Sequence, residues 1–246
     1  MTTNLVDSVV RSHYPGALPA SAFRRKIVRW LEDELGMDMA HILLATSVCA
    51  DDVVFITDVA GNIETHRASQ EMFGLFEMGG LAGLPFTGKT GMTAFAHHVP
   101  DHGAACIVYG PHIGMTDDGA LGRLVRPGQH EETTACGALG VAIKHFQSRP
   151  DYQPVLDEDD SQEALLEMRL KPYMAQILAA PNALQAATEV VYDIIHDLIY
   201  RYVAAVKQHF RCEHAALVGT VIVNTSPAHE DYVDLRHSAV LRLADL

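Results

Sequence analysis

The chain contains 246 residues, enough for one large α/β domain with a substantial core or for two small domains. Hydrophobic residues make up 48%, which is typical of a globular protein, and the formal net charge of -13 argues against a nucleic-acid partner. No apolar run approaches the roughly 18 residues of a membrane span. Because the first residues also lack the pattern of a signal peptide, we expect a cytoplasmic protein with no membrane partner.

The first predicted elements are a helix over residues 21–36 and a buried parallel strand over residues 41–47. Apolar residues recur on one face of the helical segment, whereas the strand segment is a continuous apolar run. Cys49 and Asp51 follow this strand directly. Ligands gather beyond the carboxyl ends of strands in open α/β sheets, so both residues are candidates for chemistry.

A glycine-rich stretch, residues 79–137, contains the next candidates. Glycine is dense where a backbone turns tightly or approaches another group closely. Residues 104–109 predict a second buried strand, and His112 lies three residues past its end. Residues 133–146 predict a helix with Cys136 in its first turn, where the positive end of the helix favours a thiolate.

The remaining segments complete an α/β pattern. Residues 53–56 and 120–125 predict strands, residues 88–99 a short helix, 149–160 an acidic linker, 161–180 and 182–210 long helices, 215–223 a final buried strand, and 232–243 either a strand or a docked tail. We therefore predict one α/β domain over residues 1–246. It comprises a helical N-terminal segment (1–38), a zinc-site core (39–148), and C-terminal helices with a closing strand (161–246).

Cys49, His112 and Cys136 form a candidate metal site. Two thiolates and an imidazole suit tetrahedral zinc, and three protein ligands leave a fourth position for water or for Asp51. The alternative is that the three are separate buried residues, because free cysteine often packs as a small hydrophobe. We assign the other two cysteines, Cys106 and Cys212, to packing.

Residues 83–90 match the phosphate-binding pattern G-x-x-x-x-G-K-[ST]. That motif requires a strand before it and a sustained helix after it. The residues before it make a poor strand, and Gly91 follows at once. A P-loop nucleotide hydrolase is therefore an alternative that this context disfavours.

An adjacent histidine pair, His97 and His98, lies near the end of the predicted short helix. Neighbours on a helix point in different directions, so the pair cannot chelate one ion from a single face. His98 is a candidate proton relay, and the alternative is a surface or capping role.

Four motifs occur in a distinctive order. They are Gly79-Gly80-Leu81-Ala82-Gly83, Gly110-Pro111-His112-Ile113-Gly114, Arg126-Pro127-Gly128 and Ala135-Cys136-Gly137-Ala138-Leu139. Together they resemble the limiting-carbon-dioxide-inducible protein B (LCIB) family, whose active members are theta-class carbonic anhydrases with a fold similar to the β-class enzymes. The resemblance spans residues 49–146 and includes Asn224 and Thr225 in the closing strand.

The resemblance implies zinc held by Cys49, His112 and Cys136, with Asp51 as the family's acid. It also implies a homodimer, and a fold built on a central, mostly parallel sheet flanked by helices. In this family the segment that resembles a P-loop, residues 83–90, would be part of a glycine-rich pocket wall. The β-class pairs this acid with an arginine two residues on, where this chain has Val53. Either an arginine from another part of the chain pairs with Asp51, or Asp51 coordinates the metal.

The candidates for that arginine are Arg67, Arg123 and Arg126, of which we favour Arg126. The function that the resemblance implies is a zinc-dependent carbonic anhydrase that interconverts carbon dioxide and bicarbonate. Zinc would lower the pKa of its bound water toward neutrality and so supply hydroxide. Leu84 and Phe86 are expected to form an apolar pocket for carbon dioxide. The alternative within the same fold is a non-catalytic member that binds zinc or bicarbonate as a subunit.

Overall fold

The computed structural model of the protein describes residues 5–51, 53–56 and 75–246. The helices are α1 (Leu5–His13), α2 (Ala20–Leu35), α3 (Val53–Ile56), α4 (Gly88–His98), α5 (Gly137–Ser148), α6 (Ser161–Leu170), α7 (Met174–Ala179) and α8 (Ala183–Val206). The strands are β1 (Leu18–Pro19), β2 (Ile42–Ser47), β3 (Leu75–Glu77), β4 (Ala104–Tyr109), β5 (His112–Gly114), β6 (Arg123–Val125), β7 (Glu132–Thr134), β8 (His214–Asn224) and β9 (Tyr232–Arg242). None of the helices in these ranges is long and apolar enough to cross a membrane.

One mixed sheet organises the chain. Its strand order among the described residues is β1-β9-β8-β4-β2-β3, with β5 also paired to β8. The strands from β8 to β3 are parallel, whereas β9 and β1 are antiparallel to their neighbours. The predicted α/β fold with a mostly parallel central sheet flanked by helices is thus confirmed.

The parallel register aligns the carboxyl ends of the central strands. Ser47 of β2 pairs with Tyr109 of β4, so the segments that follow both strands leave the sheet at the same edge. Cys49 and His112 lie on those two segments. The fold therefore brings together residues that are far apart in sequence, as expected at the carboxyl edge of a parallel sheet.

Helices pack on both faces of the sheet because the buried strands are apolar on both sides. On one face, Phe23, Ile27 and Leu31 of α2 pack against Cys106 and Val218. On the other face, α4, α5 and α8 form the larger core, which includes Cys49 and Cys136. Cys106 thus lies on the opposite side of the sheet from the other two cysteines, and burial raises the pKa of its thiol to about 12.

Three predictions in the middle of the chain are wrong. Residues 53–56 form the short helix α3 rather than a strand. Of residues 120–125, only the last three form a strand, and this strand pairs with β7 in a separate hairpin. The helix predicted from residue 133 begins at Gly137, because the preceding residues are engaged in that hairpin. Cys136 is consequently the residue that precedes the helix.

In the C-terminal half, one predicted helix is interrupted and one open alternative is resolved. The helix predicted over 161–180 is divided at Lys171–Tyr173, where Pro172 cannot donate a backbone hydrogen bond and the chain tightens into a 3-10 turn. Residues 232–242 form β9, which pairs along nearly its whole length with β8. Of the two alternatives for this segment, the strand is therefore the correct one.

Two glycines allow the close approach of segments around the candidate ligands. A Cβ on Gly79 would overlap the backbone of Val48, the residue before Cys49. Gly110 has a φ of +148°, and a Cβ there would overlap the carbonyl oxygen of Thr220. Both positions require glycine because neighbouring backbones occupy the space that a side chain would need.

Candidate metal centre

Cys49, His112 and Cys136 converge at the carboxyl edge of the sheet. Cys49 follows β2, His112 begins β5, and Cys136 immediately precedes α5. Their ligand atoms all lie within 4.8 Å of one another, and the two sulfur atoms are 3.7 Å apart. All three residues are buried.

The imidazole of His112 presents one nitrogen to this cluster. Its Nδ1 lies 2.7 Å from Oδ1 of Asn224. Its Nε2 is buried and makes no hydrogen bond to the described residues. Nε2 is therefore the nitrogen that is available to a metal ion.

The charge of the cluster also suits a cation. The hydrogen bond between the two thiols lowers the pKa of Cys49 to about 4 despite its burial, and the nearby His112 ring adds to this effect, which favours a thiolate at Cys49. The same contact raises the pKa of Cys136, whereas the backbone N–H groups at the start of α5 oppose this increase. Burial lowers the pKa of His112, but the adjacent thiolate more than offsets this effect. A metal ion must displace protons from this cluster, as is usual for thiolate sites.

The donor set and spacing fit zinc. With Zn–S bonds of ~2.3 Å and tetrahedral angles, two sulfur ligands stand about 3.8 Å apart. The observed sulfur separation of 3.7 Å agrees with this value. The orphaned Nε2 of His112 supplies the third donor. The donor set and the sulfur separation therefore fit a zinc ion.

Asp51 lies beside the cluster and is paired with Arg126. Nη1 and Nη2 of Arg126 lie 2.5 and 2.8 Å from the two carboxylate oxygens. Nε of Arg126 donates to Oγ1 of Thr133 at 3.0 Å, which fixes the guanidinium in the β6–β7 hairpin. Oδ2 of Asp51 is 3.7 Å from Nε2 of His112. The carboxylate of Asp51 thus faces the candidate site, and its bidentate ion pair with Arg126 fixes its orientation.

The other two candidate arginines are placed differently. Arg123 is in the same hairpin, but its Nε pairs with Glu132 at 3.0 Å on the surface. Arg67 lies outside the described residues. Of the two candidate arginines that the structure describes, Arg126 is therefore the one that pairs with Asp51.

Comparison with known proteins places the chain in a family. The family model described as limiting CO2-inducible proteins B/C beta carbonic anhydrases matches residues 17–242. The chain belongs to this family. The crystal structure of PtLCIB4, a homolog of LCIB, is similar with a TM-score of 0.82 and 28% identity, covering 96% of each chain. The crystal structure of LCIB has a TM-score of 0.65 and 18% identity, covering 94% of this chain and 96% of that chain. No curated protein matched the sequence.

The remaining predicted site residues of this LCIB-family chain are not all near the cluster. His98 is exposed at the end of α4 that precedes β4, and its ring stacks edge-on against Phe76. It is thus at the amino ends of the strands, and the structure does not bring it to the metal candidates. Leu84 is fully buried in the core that contains Cys49 and Cys136, and Phe86 packs against the same core.

In the segment that resembles a P-loop, residues 83–90, most of the loop N–H groups already form backbone hydrogen bonds. Five of its N–H groups donate to backbone carbonyls of residues 78–85, namely those of Gly83, Leu84, Phe86, Thr87 and Gly88. A phosphate-binding loop needs these groups free to cradle the phosphate. The segment instead lies against the residues around Cys49, since Ser47 Oγ donates to Gly83 O and Ala50 N–H donates to Gly80 O.

Lys89 is consequently not expected to support nucleotide binding. We expect calorimetry to detect no micromolar binding of ATP or GTP by the wild-type chain or by Lys89→Ala. The physical reason is that the loop amides are already bonded. Micromolar ATP binding that is lost in Lys89→Ala would contradict this prediction.

Sequence reasoning assigned no role in the site to Asn224 and Asp231. Asn224 is the last residue of β8, and its amide nitrogen donates to Asp231 Oδ2. The signal for Asn224 is the same as for Cys49 and His112: a polar residue directly at the carboxyl end of a buried parallel strand. No comparable signal marks Asp231, which lies in the connection to β9.

Proposed function

We propose that this LCIB-family chain is a zinc-dependent carbonic anhydrase that interconverts carbon dioxide and bicarbonate. The observation that supports this most directly is a buried Cys-His-Cys cluster with an arginine-bound carboxylate facing it. Cys49, His112 and Cys136 would hold the zinc ion. When bound, zinc supplies the Lewis acidity that generates a nucleophile from water at neutral pH.

Asp51 would act as a hydrogen-bond acceptor in this site rather than as a metal ligand. Two N–H groups of Arg126 hold the carboxylate, which stabilises its charged form and fixes its orientation. The edge of Oδ2 that faces His112 can accept a hydrogen bond from a water molecule and so orient that water toward the substrate. Arg126 would therefore substitute for the arginine that β-class enzymes place at the position of Val53.

The apolar side of the site would accept the substrate. Leu84 lies in the same core as Cys49 and Cys136, and Phe86 is half-buried beside it. Carbon dioxide has no net charge, so apolar side chains can accommodate it without a strong polar anchor. A homodimer, which rests on the family resemblance, and a cytoplasmic location belong to the same proposal.

A metal and activity measurement on the purified chain tests the proposal. We expect about one zinc per chain, as for a single three-ligand site, and hydration of carbon dioxide that depends on that zinc. Zinc content is measured by mass spectrometry of the metal and hydration by stopped-flow detection of the released proton. A chain that is fully loaded with zinc but inactive would instead support the non-catalytic alternative, a subunit that binds zinc or bicarbonate.

A further inference from the structure

We propose that Asn224, anchored by Asp231, is a positioning residue that determines which nitrogen of His112 faces the metal. The inference deepens the proposed function, since it presumes that His112 is a zinc ligand. Asn224 is completely buried at the end of β8. It reaches His112 because β5 and β8 are neighbouring parallel strands, with Gly114 opposite Asn224.

The hydrogen-bond chemistry of the amide allows one orientation. Nδ2 of Asn224 is 2.9 Å from Oδ2 of Asp231 and 3.1 Å from the carbonyl oxygen of Val53. A carboxylate and a carbonyl oxygen only accept hydrogen bonds, so the NH2 group must point toward them. The amide oxygen must then face His112, and rotation by 180° would bring three oxygen atoms together.

That orientation fixes the tautomer of His112. Oδ1 of Asn224 lies 2.7 Å from Nδ1 and can only accept, so Nδ1 has the proton. In the neutral ring Nε2 then has the lone pair, and it is the buried nitrogen without a hydrogen bond at the cluster. With the opposite tautomer, an N–H group would point at the position of the metal. Metal-bound histidines commonly depend on such a partner for their remaining N–H.

The anchor of this arrangement is Asp231. Its Oδ1 accepts the backbone N–H of Thr225 at 2.8 Å, and its Oδ2 accepts from Asn224. The side chain is therefore held at both oxygens within a buried setting. Through the Val53 carbonyl, Asn224 also ties His112 to the segment that contains Cys49 and Asp51. One amide thus connects two of the segments that supply ligands.

Zinc affinity in matched variants tests this role. Asn224→Ala removes the acceptor, and Asp231→Asn, which preserves shape, weakens the anchor. Thr225→Val is the control, because it removes a neighbouring hydrogen bond from Thr225 Oγ1 to the Glu230 carbonyl without touching the imidazole. We expect competition with a chromophoric chelator to show zinc affinity reduced by about 10- to 100-fold in Asn224→Ala, less in Asp231→Asn, and unchanged in Thr225→Val.

A second readout separates positioning from a general loss of structure. Long-range ¹H–¹⁵N correlation spectra of the zinc-loaded wild-type chain, labelled at histidine, should show His112 protonated at Nδ1. Its signals are identified by their absence in His112→Ala. Protonation at Nε2 would overturn the proposal even if neither the Asn224 nor the Asp231 variant could be purified. Equal zinc affinity in wild type and Asn224→Ala would overturn it while leaving the proposed function intact. A wild-type chain that bound no zinc would overturn both.

Discussion

Replacing His112 with alanine should remove most of the bound zinc from the purified chain. The ring is completely buried, and no described side chain nearby offers a substitute donor apart from Asp51, whose oxygens Arg126 holds. Four-ligand zinc sites in proteins bind with ~10–16 kcal/mol, so one ligand accounts for about 3 kcal/mol, or a hundredfold or more in affinity. Cys136→Ser should have a similar effect, because a neutral hydroxyl replaces a thiolate. Zinc per chain is measured after dialysis against a weak chelator.

The other cysteines provide matched controls for this experiment. Cys106→Ser changes a buried thiol on the α2 side of the sheet, and Cys212→Ser changes a half-buried thiol whose Sγ donates to the carbonyl of His214. Both variants should retain zinc at the wild-type level. If either loses zinc while Cys136→Ser keeps it, then the proposed set of ligands is wrong.

The position of the candidate ligands was predictable because it depends on local pattern and one general rule. Continuous apolar runs identify β2 and β4 as buried parallel strands, and the carboxyl ends of such strands meet at one edge. Cys49 and His112 both follow strands of this kind. Cys136 became a candidate through its place near the start of a predicted helix, although that helix was predicted from residue 133 and begins at Gly137, so that Cys136 precedes it.

The partners of these residues were harder to predict because they depend on contacts between distant segments. Three arginines were candidates for Asp51, and their sequence contexts do not distinguish them. The difference arises from the β6–β7 hairpin, where Arg123 pairs with Glu132 at the surface and Arg126 turns inward to Asp51. The hairpin itself was missed, since its strands are short and pair only with each other. Asn224 acquires its contacts only when β8 lies beside β5.

Replacing Asp51 with asparagine should abolish most carbon dioxide hydration while zinc is retained. The substitution preserves shape but removes the negative charge that faces His112 and that Arg126 neutralises. Loss of a preorganised hydrogen-bonding group of this kind commonly reduces kcat by about 100- to 1000-fold. The zinc ligands are unchanged, so metal content should stay near one per chain. Hydration rate and zinc content are measured on the same preparation.

The role of Arg126 can be tested together with that of Asp51. Arg126→Met should also reduce kcat, because the carboxylate is then free to move toward the metal or to take up a proton. Since both residues act through one ion pair, the double variant should be little worse than Asp51→Asn alone, which is the signature of coupled residues. Arg123→Met is the matched control, because it breaks an exposed ion pair in the same hairpin. Wild-type turnover in Asp51→Asn would contradict this mechanism even if the zinc site were established. If the reductions in kcat of the two single variants multiplied in the double variant, Arg126 would act independently of the carboxylate.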